Sequence, residues 1–74
     1  MKRSELVLKV GDRVKTAGII DGDGFVAQVD DTDATAPYNL DLGVGSGEWL
    51  DARGVSILGF FKVTEVNGAA IEED

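Results

Sequence analysis

Apolar and polar residues alternate over several short stretches of this chain, and glycine-rich segments separate these stretches. The alternation is clearest at residues 38–42 (YNLDL), where asparagine and aspartate space a tyrosine and two leucines. Successive side chains of a β-strand point to opposite faces, so this period predicts a strand with one buried face. Pro37 suits the entry to such a strand, because proline cannot donate a ladder hydrogen bond.

A further strand is predicted on each side of residues 38–42. Residues 24–29 (GFVAQV) are rich in β-branched and aromatic side chains, and residues 48–52 (EWLDA) contain the only tryptophan. The polar segment 30–36 and the glycine-dense segment 43–47 predict the turns between them. We expect the rest of the chain to pack on these three consecutive antiparallel strands.

The sequence leaves the facing of residues 24–29 open. A regular strand places Phe25, Ala27 and Val29 on one face. A β-bulge would instead turn Val26 and Val29 inward together. The choice decides whether Phe25 or Val26 belongs to the core.

The segments before residue 24 predict one more strand and a loop. Residues 13–16 (RVKT) place Val14 inward and the charges outward, and residues 6–10 form a strand or an extended lead-in. Residues 16–24 contain three glycines and predict a long first loop. The Ile19-Ile20 pair in this loop either folds onto the edge of the core or forms an exposed contact site.

The C-terminal third completes an all-β prediction. Residues 53–56 suit a single helical turn, and residues 57–66 (ILGFFKVTEV) are predicted to form the last strand. Asn67-Gly68 predicts a turn after it. We therefore expect one domain over residues 1–74, a five-stranded small barrel with a long first loop and a single helical turn before its last strand. Residues 1–5 and 69–74 are expected to be loose tails.

The predicted last strand has apolar residues on both faces. Leu58, Phe60 and Val66 share one of these faces. An uncovered apolar face or edge of a sheet can pair with another copy, so a homo-oligomer is among the expectations.

Composition narrows the classes of function. The chain has no cysteine and no histidine, which excludes disulfides and thiolate or imidazole metal sites. Its net charge of −7 opposes binding to a phosphate backbone, so nucleic acid is an unfavoured partner. No apolar run approaches the roughly 20 residues that span a bilayer, and no signal core follows the basic start. A cytoplasmic protein without a membrane partner is expected.

Four motifs resemble those of Src-homology-3-like small β-barrels of the prokaryotic and phage type. They are VGDRVK at 10–15, GFVAQVDD at 24–31, PYNL at 37–40 and EW at 48–49. The resemblance covers roughly residues 9–63. It implies the small-barrel fold, a phage or bacterial source, and roles that range from peptide binding to subunits of enzyme complexes.

The resemblance and the composition together favour a non-enzymatic protein-interaction module or accessory subunit. Tyr38 and Trp49 are candidate protein-binding residues, because exposed aromatic side chains make interface anchors. Trp49 is equally suited to the core of so small a domain, and the sequence leaves that choice open.

The alternative function is that of an acidic inhibitor, which mimics nucleic acid and occupies a basic groove of a DNA- or RNA-handling enzyme. Its candidate residues are five aspartates in two predicted loops: Asp21, Asp23, Asp30, Asp31 and Asp33. Complementary charge strongly steers association. A solvated charged surface is the ordinary explanation of such a group.

Other chemistry is not favoured, and we expect no metal, cofactor or catalytic residue. Asp21, Asp23 and Gly24 resemble part of a calcium loop, but Ile19 stands at the first ligand position, and a simple turn is the alternative. The glycines of 43–47 are followed by no helix whose N-terminus could hold a phosphate. No serine or threonine has an evident base beside it.

Overall fold

Six strands form one antiparallel sheet in the part of the chain that the structure, a computed structural model, describes: residues 1–43 and 47–74. The strands are β1 (Arg13–Gly18), β2 (Gly22–Val29), β3 (Tyr38–Asp41), β4 (Glu48–Leu50), β5 (Phe61–Val66) and β6 (Ala69–Ala70). Their order in the sheet is β4-β3-β2-β1-β5-β6. The sheet is curled like half of a barrel around its apolar side. The all-β prediction is confirmed, but there are six strands rather than five.

The core consists of apolar side chains that the strands and the N-terminal segment direct to the same side of the sheet. In β3, Tyr38 and Leu40 are buried while Asn39 and Asp41 are more exposed, so the predicted alternation is confirmed. Leu40, Leu50, Val26 and Val63 are completely buried. The other members of the core are Leu6, Leu8, Val14, Phe61, Val66 and Ile71.

A β-bulge decides the facing of β2. The register between β2 and β3 shifts between Val26 and Gln28, and Val26 is completely buried whereas Phe25 is exposed. Val29 packs against the core from a half-buried position. Of the two arrangements open from the sequence, the bulged one is correct, because the extra residue returns Val29 to the face of Val26.

The long first loop predicted for residues 16–24 is wrong. Strand β1 continues to Gly18 and β2 already begins at Gly22, so only residues 19–21 connect them. The Asp21 carboxylate accepts a hydrogen bond from the Gly18 amide at 3.0 Å, and the Thr16 hydroxyl donates to the Ile20 carbonyl at 3.0 Å. These side-chain bonds close a tight hairpin where the glycines had indicated a loop.

Gly18 is required at its position for two reasons. Its φ of +140° is one that L-residues rarely adopt, and a Cβ there would lie 2.5 Å from the Phe60 carbonyl oxygen. We expect Gly18→Ala to lower the free energy of unfolding by about 3 kcal/mol, from backbone strain plus the displacement of neighbouring backbone. Urea denaturation followed by circular dichroism measures this.

Gly59→Ala is the matched control for Gly18→Ala. Its φ is +76° and a Cβ there would meet nothing within 4 Å, so it should cost only the strain of about 1–2 kcal/mol. Equal losses in the two variants would mean that the close approach of Gly18 to β5 has no energetic weight.

The predicted helical turn at 53–56 is wrong, and the predicted strand over 57–66 is confirmed only for Phe61–Val66. The Asp51 carboxylate accepts hydrogen bonds from the amides of Arg53 and Val55, which forms a tight turn instead of a helical one. Isolated antiparallel bridges join Leu50 to Ser56 and Val55 to Lys62, so residues 55–56 contact both β4 and β5.

Strand β5 itself begins only at Phe61. Gly59, with its φ of +76°, ends the extended conformation that the apolar run 57–60 had suggested. Ile57 and Leu58 consequently lie in a turn outside the sheet. Within the described residues the one helical segment is a 3-10 turn, Arg3–Glu5, and no helix there could span a membrane.

The Asn67-Gly68 turn is confirmed and produces the sixth strand. Both residues have positive φ, +50° and +86°, and Val66 pairs directly with Ala69. Such a two-residue turn matches the twist of a hairpin. Ala69–Ala70 therefore joins the sheet as β6, although the sequence placed it in a tail.

The two segments expected to be tails contact each other across the end of the sheet. Arg3 is only 3% exposed, and its guanidinium donates to the Glu73 carboxylate at 2.7 Å. It also donates to two backbone carbonyl oxygens, of Arg53 at 2.7 Å and of Val63 at 2.6 Å. Lys2 forms a parallel bridge with Glu72, and Ile71 is buried in the core. Both ends thus have a defined place, and we call these contacts the terminal clamp.

Candidate interaction surface

The two candidate aromatic residues lie on opposite sides of the sheet. Tyr38 pairs with Leu50 across β3 and β4, is 8% exposed and belongs to the core. Trp49 precedes Leu50 and faces the other way, with 37% of its surface exposed. Trp49 therefore lies on the surface, and Tyr38 is not available to a partner in the folded protein.

Trp49 borders a shallow depression of about 380 Å³, which we call the Trp49 depression. The turn after Ser56 lies beside β4, because the Ile57 amide donates to the Trp49 carbonyl at 3.1 Å. Ile57 and Leu58 are 52% and 67% exposed, so three large apolar side chains meet at this surface. Among the described residues, the lining consists of Asp33, Ala36, Gly47, Glu48, Trp49, Ile57 and Leu58.

The sequence did not assign Ile57 to a site. It placed Leu58 on a self-association face with Phe60 and Val66, but that face does not exist as predicted. Leu58 and Phe60 are exposed, whereas Val66 is buried in the core. Gly59, which follows the apolar pair directly, was the available signal for a turn that exposes these side chains.

The five candidate aspartates form two groups at opposite ends of β2. Asp21 and Asp23 lie at its start, and Asp30, Asp31 and Asp33 follow its end. Residues 24–29 of β2 lie between Asp23 and Asp30, so the extended strand separates the two groups by up to roughly 23 Å. The structure therefore does not bring the five carboxylates together, and of these only Asp33 lines the Trp49 depression.

Three of these aspartates have a role in local turns. Besides the bond of Asp21 to Gly18, Asp30 accepts from the amide and the hydroxyl of Thr32. Asp33 accepts from the Thr35 hydroxyl at 2.8 Å and from the amides of Thr35 and Ala36 at 3.0 Å. These bonds, above all that of the Thr35 hydroxyl, lower the pKa of Asp33, so its carboxylate stays charged in mildly acidic solution.

The rim of the Trp49 depression is negatively charged. Among the described residues that line it, the charged ones are Asp33 and Glu48, and both are half-buried. Across residues 1–43 and 47–74, the ion pairs are Arg3–Glu73, Lys15–Glu65, Arg53–Asp74 and Lys62–Glu73. In that part of the chain, neither Asp33 nor Glu48 forms an ion pair with a base.

The geometry does not support a calcium site at Asp21, Asp23 and Gly24. In the described part of the chain, no three acidic groups lie close enough together to hold a metal ion. Asp21 instead accepts the hydrogen bond that closes the first hairpin. The prediction of a turn at 43–47 falls partly on residues 44–46, which lie outside the described residues.

Trp49 fluorescence tests the surface position directly, because the chain has no other tryptophan. A half-exposed indole should emit at longer wavelength than a buried one and be quenched by acrylamide in the folded protein. Emission at short wavelength without quenching would contradict the exposure of Trp49. The Trp49→Phe variant gives the background signal of Tyr38.

Comparison of the chain with models of protein families, with curated proteins and with solved structures found no match. The functional assignment therefore depends on the surface itself.

Proposed function

We propose that this protein is a non-enzymatic protein-interaction module or accessory subunit that binds its partner through the Trp49 depression. The observation that carries the proposal is the exposed group of Trp49, Ile57 and Leu58 around one concave surface. Tryptophan is one of the residue types enriched among the energetically dominant residues of interfaces, which cluster in well-packed pockets. The other candidate aromatic, Tyr38, is buried in β3 and offers no such surface.

The proposal also includes the fold and the location of the protein. In it, the chain is a Src-homology-3-like small barrel of the phage or bacterial type and acts in the cytoplasm. The isolated bridges from residues 55–56 to β4 and to β5 support closure of the curled sheet toward a barrel. The lack of cysteine and histidine supports a role in binding rather than catalysis.

The alternative, an acidic inhibitor that mimics nucleic acid, has weaker support. A mimic needs its charges along one surface to match a basic groove, whereas the two aspartate groups lie at opposite ends of β2. Three of the five carboxylates also hold their own turns. The net charge of −7 remains in its favour.

Capture of partners with paired variants tests the proposal. The wild-type protein, Trp49→Ala and Phe25→Ala are immobilised separately and exposed to bacterial lysate at low and high salt. Phe25 is the matched control, since it is 38% exposed, like Trp49, but lies away from the depression. We expect a partner that Phe25→Ala retains and Trp49→Ala loses by about 100-fold in affinity, the effect of a dominant interface residue.

Other outcomes would count against the proposal. A partner retained by Trp49→Ala would exclude the Trp49 depression as its binding surface. A nucleic-acid-handling enzyme that leaves at moderate salt, whichever aromatic is replaced, would favour the acidic inhibitor. A dimer by light scattering that captures nothing else would instead indicate self-association.

A further inference from the structure

We propose that the Trp49 depression recognises a cationic side chain, a lysine or arginine, that lies next to an apolar residue on the partner protein. This inference rests on the proposed function and specifies its partner. It follows from the charge of the rim, the chemistry of the lining and the fixed position of one carboxylate.

The charge of the rim selects against other occupants. A purely apolar partner would cover the half-buried Asp33 and Glu48 and leave both carboxylates without water or a counter-ion, which is costly. A second copy of this chain would bring another net charge of −7 to the same surface. A basic partner removes both penalties, because its charge compensates the carboxylates that it covers.

The apolar part of the lining suits the remaining parts of a basic side chain. The face of an indole attracts an ammonium or guanidinium group, and tryptophan does so more strongly than the other aromatics. The long methylene stem of lysine or arginine packs on apolar surface while its head remains at a polar rim. Trp49, Ile57 and Leu58 offer that surface, and Asp33 and Glu48 offer the rim.

Asp33 is held in place before any partner arrives. Three hydrogen bonds from Thr35 and Ala36 fix its carboxylate. A fixed acceptor loses little conformational entropy when it pairs with a cation. The bonds also favour its ionised form by lowering its pKa, so the rim keeps this charge over the physiological pH range.

A second depression on the sheet differs from the Trp49 depression in the charge of its lining. It measures about 320 Å³ and is lined by both signs of charge, Arg13 and Lys15 with Asp23 and Glu65. Lys15 and Glu65 form an ion pair at 3.5 Å. This mixed surface has no preference for a cation, whereas the charged residues described at the Trp49 depression are all negative.

Three capped pentapeptides test the inference: leucine alternating with arginine, with glutamine or with glutamate. They have the same backbone and the same apolar residues, and differ in charge. Each is titrated into the full chain at low salt, with binding followed by Trp49 fluorescence and by amide chemical shifts. We expect the arginine peptide to bind at least about tenfold more tightly than the glutamine peptide, and the glutamate peptide most weakly.

Two double variants test whether the charge of the rim causes the preference for the arginine peptide. Asp33→Asn with Glu48→Gln removes the rim charge and keeps an oxygen acceptor for the turn at Asp33. Asp23→Asn with Asp31→Asn removes the same charge elsewhere. The first should lower affinity for the arginine peptide about tenfold and remove the discrimination against glutamine, while the second should change affinity less than about twofold.

The failures of the two proposals can be told apart. Equal binding of the arginine and glutamine peptides, equal losses in the two double variants, or no binding of the arginine peptide at millimolar concentration would overturn the cationic recognition. The proposed interaction surface would still stand if the captured partner depended on Trp49. Partner capture that is indifferent to Trp49→Ala would overturn the surface itself.

Discussion

Tyr38→Ala is expected to lower the free energy of unfolding by about 3–5 kcal/mol, the usual cost of removing a buried aromatic ring. Tyr38 is 8% exposed and pairs with Val29 on one neighbouring strand and with Leu50 on the other. A domain of this length has little stability in reserve, so most molecules of the variant should be unfolded at 25 °C. Urea denaturation of the wild type, followed by far-ultraviolet circular dichroism, gives its free energy of unfolding, and the folded fraction of the variant without urea gives the loss.

Trp49→Ala is the matched comparison, because Trp49 lies in the neighbouring strand and faces outward. It should cost only about 1 kcal/mol, since part of the indole is already in water. Tyr38→Phe keeps the ring and should stay within about 1 kcal/mol of the wild type. Equal losses for Tyr38→Ala and Trp49→Ala would contradict the assignment of one to the core and the other to the surface.

Arg3→Ala is expected to lower the free energy of unfolding by about 3 kcal/mol, because it leaves buried hydrogen-bond acceptors without donors. The guanidinium donates to the carbonyl oxygens of Arg53 and Val63 and to the Glu73 carboxylate. Arg3 thus connects the start of the chain to the turn before β5, to β5 and to the C-terminal segment. Its loss should open the terminal clamp.

The pH dependence of stability gives a second measure of the clamp. The hydrogen bond from Arg3 lowers the pKa of Glu73 below its ordinary value of 4.5. A carboxyl whose pKa is lower in the folded state stabilises that state above its ordinary pKa. This stabilisation is lost as the pH falls through the lowered value. Arg3→Ala should therefore weaken the acid dependence between neutral pH and pH values below 4.5.

Arg53→Ala is the control for the clamp, because Arg53 is exposed and approaches Asp74 only at 3.9 Å. It should change stability by about 0.5 kcal/mol or less, as surface ion pairs do. Wild-type stability in Arg3→Ala would show that the buried guanidinium contributes nothing, and an unchanged acid dependence would show that its bond to Glu73 does not stabilise the fold. Loss of stability in Arg3→Ala alone would confirm its role.

The sequence by itself determined the features that depend on neighbouring residues or on residue type alone. The alternation at 38–42 fixed which side chains of β3 share a face, since a strand has a period of two. Asn67-Gly68 fixed a tight turn, because both residues accept positive φ. The absence of cysteine and histidine excluded disulfides and thiolate or imidazole metal sites, because no other side chain supplies those groups.

Only the tertiary structure decided the features that depend on distant contacts. Period-two alternation places Trp49 and Leu50 on opposite faces of the strand, but it does not determine which of the two faces is covered by the core. Arg3 is buried because carbonyl oxygens about 50 and 60 positions along the chain, together with Glu73, accept its hydrogen bonds. The Trp49 depression exists because the turn after Ser56 lies beside β4, and local sequence does not specify where two distant segments meet.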